Sequence, residues 1–481
     1  MHLQVYFAAV IGLGVALWFH EQSVYRDLPL AEQQAAALAL LPIGAMAVEL
    51  IVVMDAGVDV DVPANEAFQT AAAGLPLRLV VRTTTSPHGI PTSNGRYVLS
   101  IVASASAAES LVLDNGQRMA VYTTGAAGDN RLSSIAARVG PALLSVFVDE
   151  AETGVPTARP LKYHKGVHLS FGLLCGGHAC SWASSVRQAV AQFVEPLVQD
   201  IALLGPFSVS TEVQYFAPMA VASKPTADGQ ARAIEHSRLA NFVNQREWTL
   251  ASAADDLPPV HYVIYVPQPQ EQPLYLLDDG GQPLPNNAFA VPGWGGVVVH
   301  NSNNNSDLDM DTLRGSLAVF VTQLRQLLDI APLTARPHSV AGMTTAGAGK
   351  GVSVWERDRA VRLRTRHDIA QTMDTLHSLH SMLEKITNIV VEDHVGRKWR
   401  AALAGVVAAN SLYGKGHYDD ACTEAAAAVA AAEEAFFDPT MVAQVYFPEE
   451  HKYAIYTPLF LPTIVPVVVS LVTALSRLRR T

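Results

Sequence analysis

Ala47 to Met54 reads AVELIVVM, a β-branched run broken by one carboxylate, Glu49, and its reading sets the fold class. Leu77 to Thr84 (LRLVVRTT) and Tyr97 to Val102 (YVLSIV) repeat the pattern between turn residues. Asp114-Asn115-Gly116 separates Leu111-Val112-Leu113 from Met119-Ala120-Val121-Tyr122, which predicts a hairpin. Further strand-like runs follow at His168 to Leu174, Phe207 to Tyr215, His261 to Val266, Leu274 to Leu277 and Val297 to His300. Helical stripes alternate with them: Ser181 to Leu204 keeps Val186, Val190, Phe193, Leu197 and Ile201 on one face, and Asp307 to Ile330 does so with Leu313, Leu317, Phe320, Leu324 and Leu327. A mixed α/β domain over 21–343 is therefore expected. Residues 344–352 read as a Gly-rich linker. Val354 to Lys385 then predicts one long helix and Lys398 to Phe437 two more, an additional helical subdomain over 353–437. Asp438-Pro439 ends that run, and 438–455 reads as a tether.

The 481 residues, 49% of them hydrophobic, suffice for one large core or two modest ones without disulfide support. A net charge of −11, thinly spread, with no basic run before the last residues, argues against nucleic acid as a partner. The informative bias lies at the ends. Leu3 to Phe19 is uncharged and nearly spans a hydrocarbon core. A cleaved signal peptide fits it less well than a retained anchor, because the charged leader is missing and Trp18, Phe19 and His20 stand where small cleavage-site residues belong. Two transmembrane helices, 1–20 and 456–475, are thus expected to flank the domains. Arg477, Arg479 and Arg480 in the basic tail 476–481 place both termini in the cytoplasm and residues 20 to 455 in the lumen. The sequon Asn304-Asn305-Ser306 fits a lumenal location and makes Asn304 a glycosylation candidate. Pro458, Pro462 and Pro466 recur every fourth residue of the second span, so their freed carbonyls would face neighbouring transmembrane helices.

Near-matches to chemical signatures each lack a required residue. Thr344 to Gly351 resembles a phosphate loop, but Thr344 replaces the first glycine and Gly351 the metal-binding hydroxyl. Asp307, Asp309 and Asp311 imitate a calcium loop with Thr312 in the turn-glycine position and Ala318 in place of the bidentate glutamate, so helix capping explains them better. Asp59-Val60-Asp61 is an isolated acidic pair. His377, His380 and Glu384 read as surface positions of a helix before they read as metal ligands. Cys175 and Cys180 can close a small ring in an oxidising compartment, or remain thiols, and zinc through them and His178 lacks a fourth ligand. Cys422 reads as packed in its helix. No catalytic residue, metal or cofactor is expected.

The C-terminal residues carry a resemblance. Ala435-Phe436-Phe437-Asp438-Pro439, Tyr446-Phe447-Pro448 and the string Lys452-Tyr453-Ala454-Ile455-Tyr456-Thr457-Pro458-Leu459-Phe460-Leu461-Pro462 resemble the PIG-S family, the class S subunits of the GPI transamidase complex. Tyr25 to Pro29, Asn287-Ala288-Phe289, Trp294-Gly295-Gly296, Phe320 to Ile330 and Lys385 to Val391 extend the match in order. The resemblance implies a non-catalytic subunit in the endoplasmic-reticulum membrane, where precursor proteins are transferred onto GPI anchors. Its implied partners are other transamidase subunits, including a caspase-like catalytic one, the bilayer, and the GPI lipid and precursor. Two other readings stay open on the residues alone. A lumenal transferase or hydrolase would be active as an isolated domain and depend on Asp59 and Asp61 or on Cys175 and Cys180. A glycan- or peptide-binding module would bind without partner subunits.

Overall fold

The computed structural model describes residues 46–443, except 74–76, 85–94, 105–108, 125–129, 148–165, 178–179, 183–184, 218, 220, 227–228, 243–256, 292, 302–307, 329, 331–332, 334–342, 347–350 and 386–390, together with scattered residues between 458 and 476. The architecture is mixed α/β, as the strand and helix patterns predict. Contacts divide the chain into two units, one of residues 44–366 and 409–423, the other of 1–43, 367–408 and 424–481. The expected flanking spans are not seen: among the described residues no helix is long and apolar enough to cross a membrane. Residues 1–20 lie wholly, and 456–475 partly, outside the described residues.

In the first unit, β1 (Met46–Met54) runs parallel between β2 (Leu77–Thr84) and β3 (Arg96–Ala103). Parallel β5 (Met119–Thr124) and antiparallel β4 (Ser110–Asp114) continue the sheet, and β14 (Met343–Ala346) closes that edge beside β4. The hairpin forms where Asp-Asn-Gly stands, with Asp114 Oδ1 accepting the Gly116 and Gln117 amides at 2.8 Å. Part of the segment expected as linker is thus a strand, with Thr344 paired to Val112. Helices α1 (Ala64–Ala71) and α2 (Leu132–Ser145) pack together over one face of this sheet, where Leu50, Val52, Leu99 and Tyr122 are buried.

A second sheet contains β6 (Val167–Cys175), buried along its whole length, as a strand between parallel neighbours must be. β7 (Phe207–Gln214) lies on one side, and β10 (Pro259–Val266), β13 (Gly295–Val299) and antiparallel β12 (Ala288–Val291) on the other. Helices α3 (Val186–Phe193) and α6 (Met310–Leu327) cover one face, where Phe320 meets Phe171 and Tyr262 at ring distances of 6.2 and 5.1 Å. The stripe expected as one helix from Ser181 to Leu204 is broken. Val194 ends α3 and α4 (Glu195–Asp200) starts again, because Pro196 has no amide to continue the ladder but suits a first turn. The opposite face is covered by a three-stranded layer of β8 (Lys224–Pro225), β9 (Arg232–Ile234) and β11 (Leu274–Leu276), which with Leu239 of the short α5 (Leu239–Phe242) buries Leu174, Val263, Tyr265 and Val297.

The two sheets repeat one topology. Each begins with the strand next to one edge, β1 or β6, and a helix leads to a parallel edge strand, β2 or β7. The chain returns to a parallel third strand, β3 or β10. An antiparallel strand, β4 or β12, precedes a parallel one, β5 or β13, and a helix packed on the first helix follows. The backbone matches in detail: Glu49 N donates to Gly95 O at 2.8 Å, and His168 N to Pro258 O at 3.0 Å, each just before the third strand. Residues 46–145 and 167–327 therefore share one α/β topology, a first and a second copy of one arrangement.

The long helix forms over the residues its pattern predicts, α7 (Val354–Lys385), and is followed by α8 (Asp393–Gly414), α9 (Tyr418–Phe436) and the short α10 (Pro439–Ala443). In the second unit Leu376, Leu379 and Leu383 of α7 pack with Val395 and Trp399 of α8 and with Ala432 and Ala435 of α9. Small residues permit the close approach: a Cβ on Gly405 would sit 2.9 Å from the Ala428 Cβ. Asp438 caps α10 by accepting from Thr440 N at 3.1 Å and is paired with His394 at 2.8 Å.

Candidate functional site

The acidic pair after β1 serves local structure. Asp59 is bridged to the start of α2, with Leu132 N donating to its carbonyl at 2.8 Å. The Asp61 carboxylate accepts from the Ser133 amide at 3.0 Å and from the Ser133 hydroxyl, and these bonds hold its pKa below the ordinary carboxylate value. Asp309 caps α6 in the same way, accepting from Thr312 N at 3.0 Å, and the backbone bond likewise lowers its pKa. Asp311 lies in the first turn of that helix, and Asp307 lies outside the described residues. Along α7 His377 is exposed and His380 half-buried. Among the described residues no three His, Cys, Asp or Glu side chains are arranged to hold a metal.

Cys175 ends β6 at the point where strand order reverses between β6 and β10, the position at which open α/β sheets place their ligands. Its sulfur faces that of Cys180, with Cα atoms 6.0 Å apart, within the range a disulfide spans, and both residues are buried. The loop between them is clamped: Gly176 N donates to Val266 O at 2.8 Å, Gln268 Nε2 to Gly176 O at 3.0 Å, and Ala217 N to Cys175 O at 2.8 Å. His178 and Asn304 lie outside the described residues. Cys422 is a buried free cysteine. Pro458, Pro462 and Pro466 are exposed helical residues, and Leu461, Val465, Val468, Val469 and Val472 beside them are 49–59% exposed. Thiol alkylation of the denatured protein read by mass spectrometry checks the cysteine pair: Cys175 and Cys180 should take up the reagent only after reduction, and Cys422 without it.

Sequence reasoning missed a buried polar cluster of the first unit. Asp358, on the first turns of α7, accepts from Arg118 Nε at 2.5 Å, Arg118 Nη2 at 2.8 Å and the Tyr97 hydroxyl at 3.0 Å. Arg362 Nη1 donates to the same tyrosine oxygen at 2.9 Å, and its guanidinium lies 5.6 and 5.5 Å from the rings of Phe147 and Tyr418. Trp355 stacks on Tyr97 at 4.9 Å. Burial, then the Asp358 charge, pushes the Tyr97 phenol far above its usual pKa. Perturbed groups of this kind often mark active sites, but this cluster lies in a packed interior, where it ties the head of α7 to β3 and β5. The signal was present in the sequence as Glu356-Arg357-Asp358-Arg359 followed by Arg362, too many charges for the buried face of a helix without fixed partners.

Comparison with known proteins agrees with the C-terminal resemblance. The family model for phosphatidylinositol-glycan biosynthesis class S protein matches residues 5–481. The GPI-anchor transamidase component PIGS of Mus musculus is 34% identical over 351 residues, covering 70% of this chain and 62% of that protein. The human component of the same name is 33% identical over 343 residues, covering 69% and 61%. The GPI transamidase component PIG-S homolog of Schizosaccharomyces pombe is 28% identical over 311 residues, covering 63% and 52%. The matched region spans less than two thirds of the length of these relatives. With its residues matched almost from end to end, the chain belongs to the phosphatidylinositol-glycan biosynthesis class S family.

Proposed function

We infer that this chain is an accessory subunit of a GPI transamidase, one that organises the assembly around a separate thiol-protease-like subunit and helps present precursor and lipid. The family match over residues 5–481 carries the reading. The structure lends support, because Asp61 and Asp309 are spent on helix caps and both Cys175 and Cys180 are buried. The membrane arrangement belongs to the same proposal: an endoplasmic-reticulum protein with spans at 1–20 and 456–475, both termini cytoplasmic, and Asn304 glycosylated in the lumen. The exposed apolar side chains from Leu461 to Val472 suit an apolar surrounding. In this reading the oxidising lumen closes Cys175 to Cys180.

The test is co-purification of tagged full-length protein in mild detergent, with anchoring of a reporter precursor followed after depletion. The expected result is recovery of a caspase-like subunit with other membrane subunits, accumulation of unanchored precursor, and a glycosidase-sensitive shift lost in Asn304→Gln. Recovery of the chain alone with anchoring intact would overturn the reading.

A further inference from the structure

The two sheets end on edge strands of opposite character. β2 (LRLVVRTT), the edge of the first sheet, carries exposed Arg78 and Arg82, and charges on an edge discourage a further strand from pairing there. β7 (FSVSTEVQ), the edge of the second, has no Lys, Arg or Pro, and Glu212 is its one carboxylate. Among the described residues β7 is bonded on one side, to β6, so its other side presents a row of backbone N–H and C=O groups. That side is reached by solvent: Val209 and Val213 are each 36% exposed, Tyr215 is 48% exposed, and Thr211 between them is exposed too. Phe216 follows, 68% exposed and at a φ of +54°, an outlying conformation for a bulky side chain. Phe216 N donates to Gly177 O at 3.2 Å and Ala217 N to Cys175 O at 2.8 Å, which fixes this backbone to the end of β6. An aromatic ring held in strained backbone and turned to water gains the fold nothing, and strain of this kind collects at ligand clamps.

We propose that β7 is a docking strand for an extended segment of another transamidase subunit, which adds to the sheet beside β7 with Tyr215 and Phe216 as anchors. Backbone groups along an edge are matched by an extended backbone and not by a lipid or a glycan, which makes the partner a polypeptide. The exposed row of Val209, Thr211 and Val213 is uncharged, and it suits β-branched or aromatic residues at alternate positions of the added strand. Another molecule of this chain fits less well. A two-fold pairing of β7 with itself along its full length sets Tyr215 against Pro206 and Phe216 against Gly205, and Pro206 has no amide to give. The proposal rests on the subunit reading above.

The test places photoreactive benzoylphenylalanine at Val209 and, separately, at Val213 of the full-length protein, purified as the membrane assembly and irradiated. The expected result is that both positions cross-link to one segment of one partner polypeptide, at sites about four residues apart, as strand pairing requires. The double variant Val209→Lys with Val213→Lys gives β7 the kind of charge that β2 carries, and it should lower recovery of that partner at least about tenfold. Phe216→Gly should lower it as well while leaving the thermal midpoint of the full-length protein in detergent unchanged or raised, because glycine takes a positive φ without strain. Adducts only with lipid, only with another molecule of this chain or only within the chain, no adduct from either position, or undiminished recovery in both variants, while the other subunits still co-purify, would overturn the docking strand and leave the subunit reading standing. If no subunit co-purifies, both fail.

Discussion

Asp358→Asn should lower the stability of the protein by about 3–5 kcal/mol, because removing one member of a buried ion pair leaves its partner charged, desolvated and uncompensated. Arg118 is 11% exposed and Asp358 3%, and Arg362, also buried, relies on the same anionic centre through Tyr97. Replacing an oxygen by an amide keeps the shape but turns an acceptor for Arg118 into a second donor pointing at a guanidinium. The loss should be read as a fall in the thermal or denaturant midpoint of the full-length protein in detergent. Glu235→Gln provides the control. It breaks an ion pair with Lys224 whose partners are 56 and 50% exposed, and the midpoint should stay where it was. A variant Asp358→Asn as stable as the parent would show that the cluster is not needed to hold the head of α7.

Gly295→Ala should be comparably damaging, about 3–5 kcal/mol, adding backbone strain to overpacking. Gly295 opens β13 at a φ of +137°, a conformation that L side chains rarely adopt, and a Cβ there would lie 1.9 Å from the His261 carbonyl oxygen and within 2.8 Å of two further His261 backbone atoms. These are strand atoms of β10 and cannot swing aside. The ladder must open, and with it the bond from His261 N to Trp294 O, now 2.8 Å. Gly293→Ala is the informative companion. It also has positive φ, +77°, but nothing lies within 4 Å of its added carbon, so only the conformational cost should appear. Limited proteolysis after β13 would separate the two, fast for the first variant and near the parent rate for the second.

Much of the α/β architecture was legible because local rules and burial agree. AVELIVVM and HLSFGLL read as strands through β-branched and apolar residues, and both lie between parallel neighbours. The Asp114 turn was legible because its carboxylate makes the turn with its own backbone. Helix α2 was not, since Gly140 and Pro141 stand inside it where a helix pattern would be expected to stop. The strand at Met343–Ala346 was hidden by the glycines that follow, because its pairing with β4 is a long-range choice. The repeated topology was not legible because the two arrangements share positions and not residues: Glu49 occupies in one the place of His168 in the other. Glu49 is held by two arginines, and His168 by Ser208 and Ser210 at 2.7 and 2.8 Å. For the candidate sites, sequence could list the acidic pair and the cysteines but not say which were already committed to caps and clamps.

The ties that complete the first copy reach very far along the chain: Tyr97 waits for Asp358, 261 residues on, and the Ala47 carbonyl for Tyr418, 371 residues on. The strands of the second copy are all made by residue 299, but its ties also reach later residues: Arg325 pairs with Glu356, and Cys422 donates to the Leu203 carbonyl, 219 residues on. During synthesis at roughly 5–20 residues per second, the Ala47 carbonyl therefore waits about 20–75 seconds for its partner. The last-made helices thus finish both copies, and a chain released before Tyr418 and Cys422 lacks a tie in each.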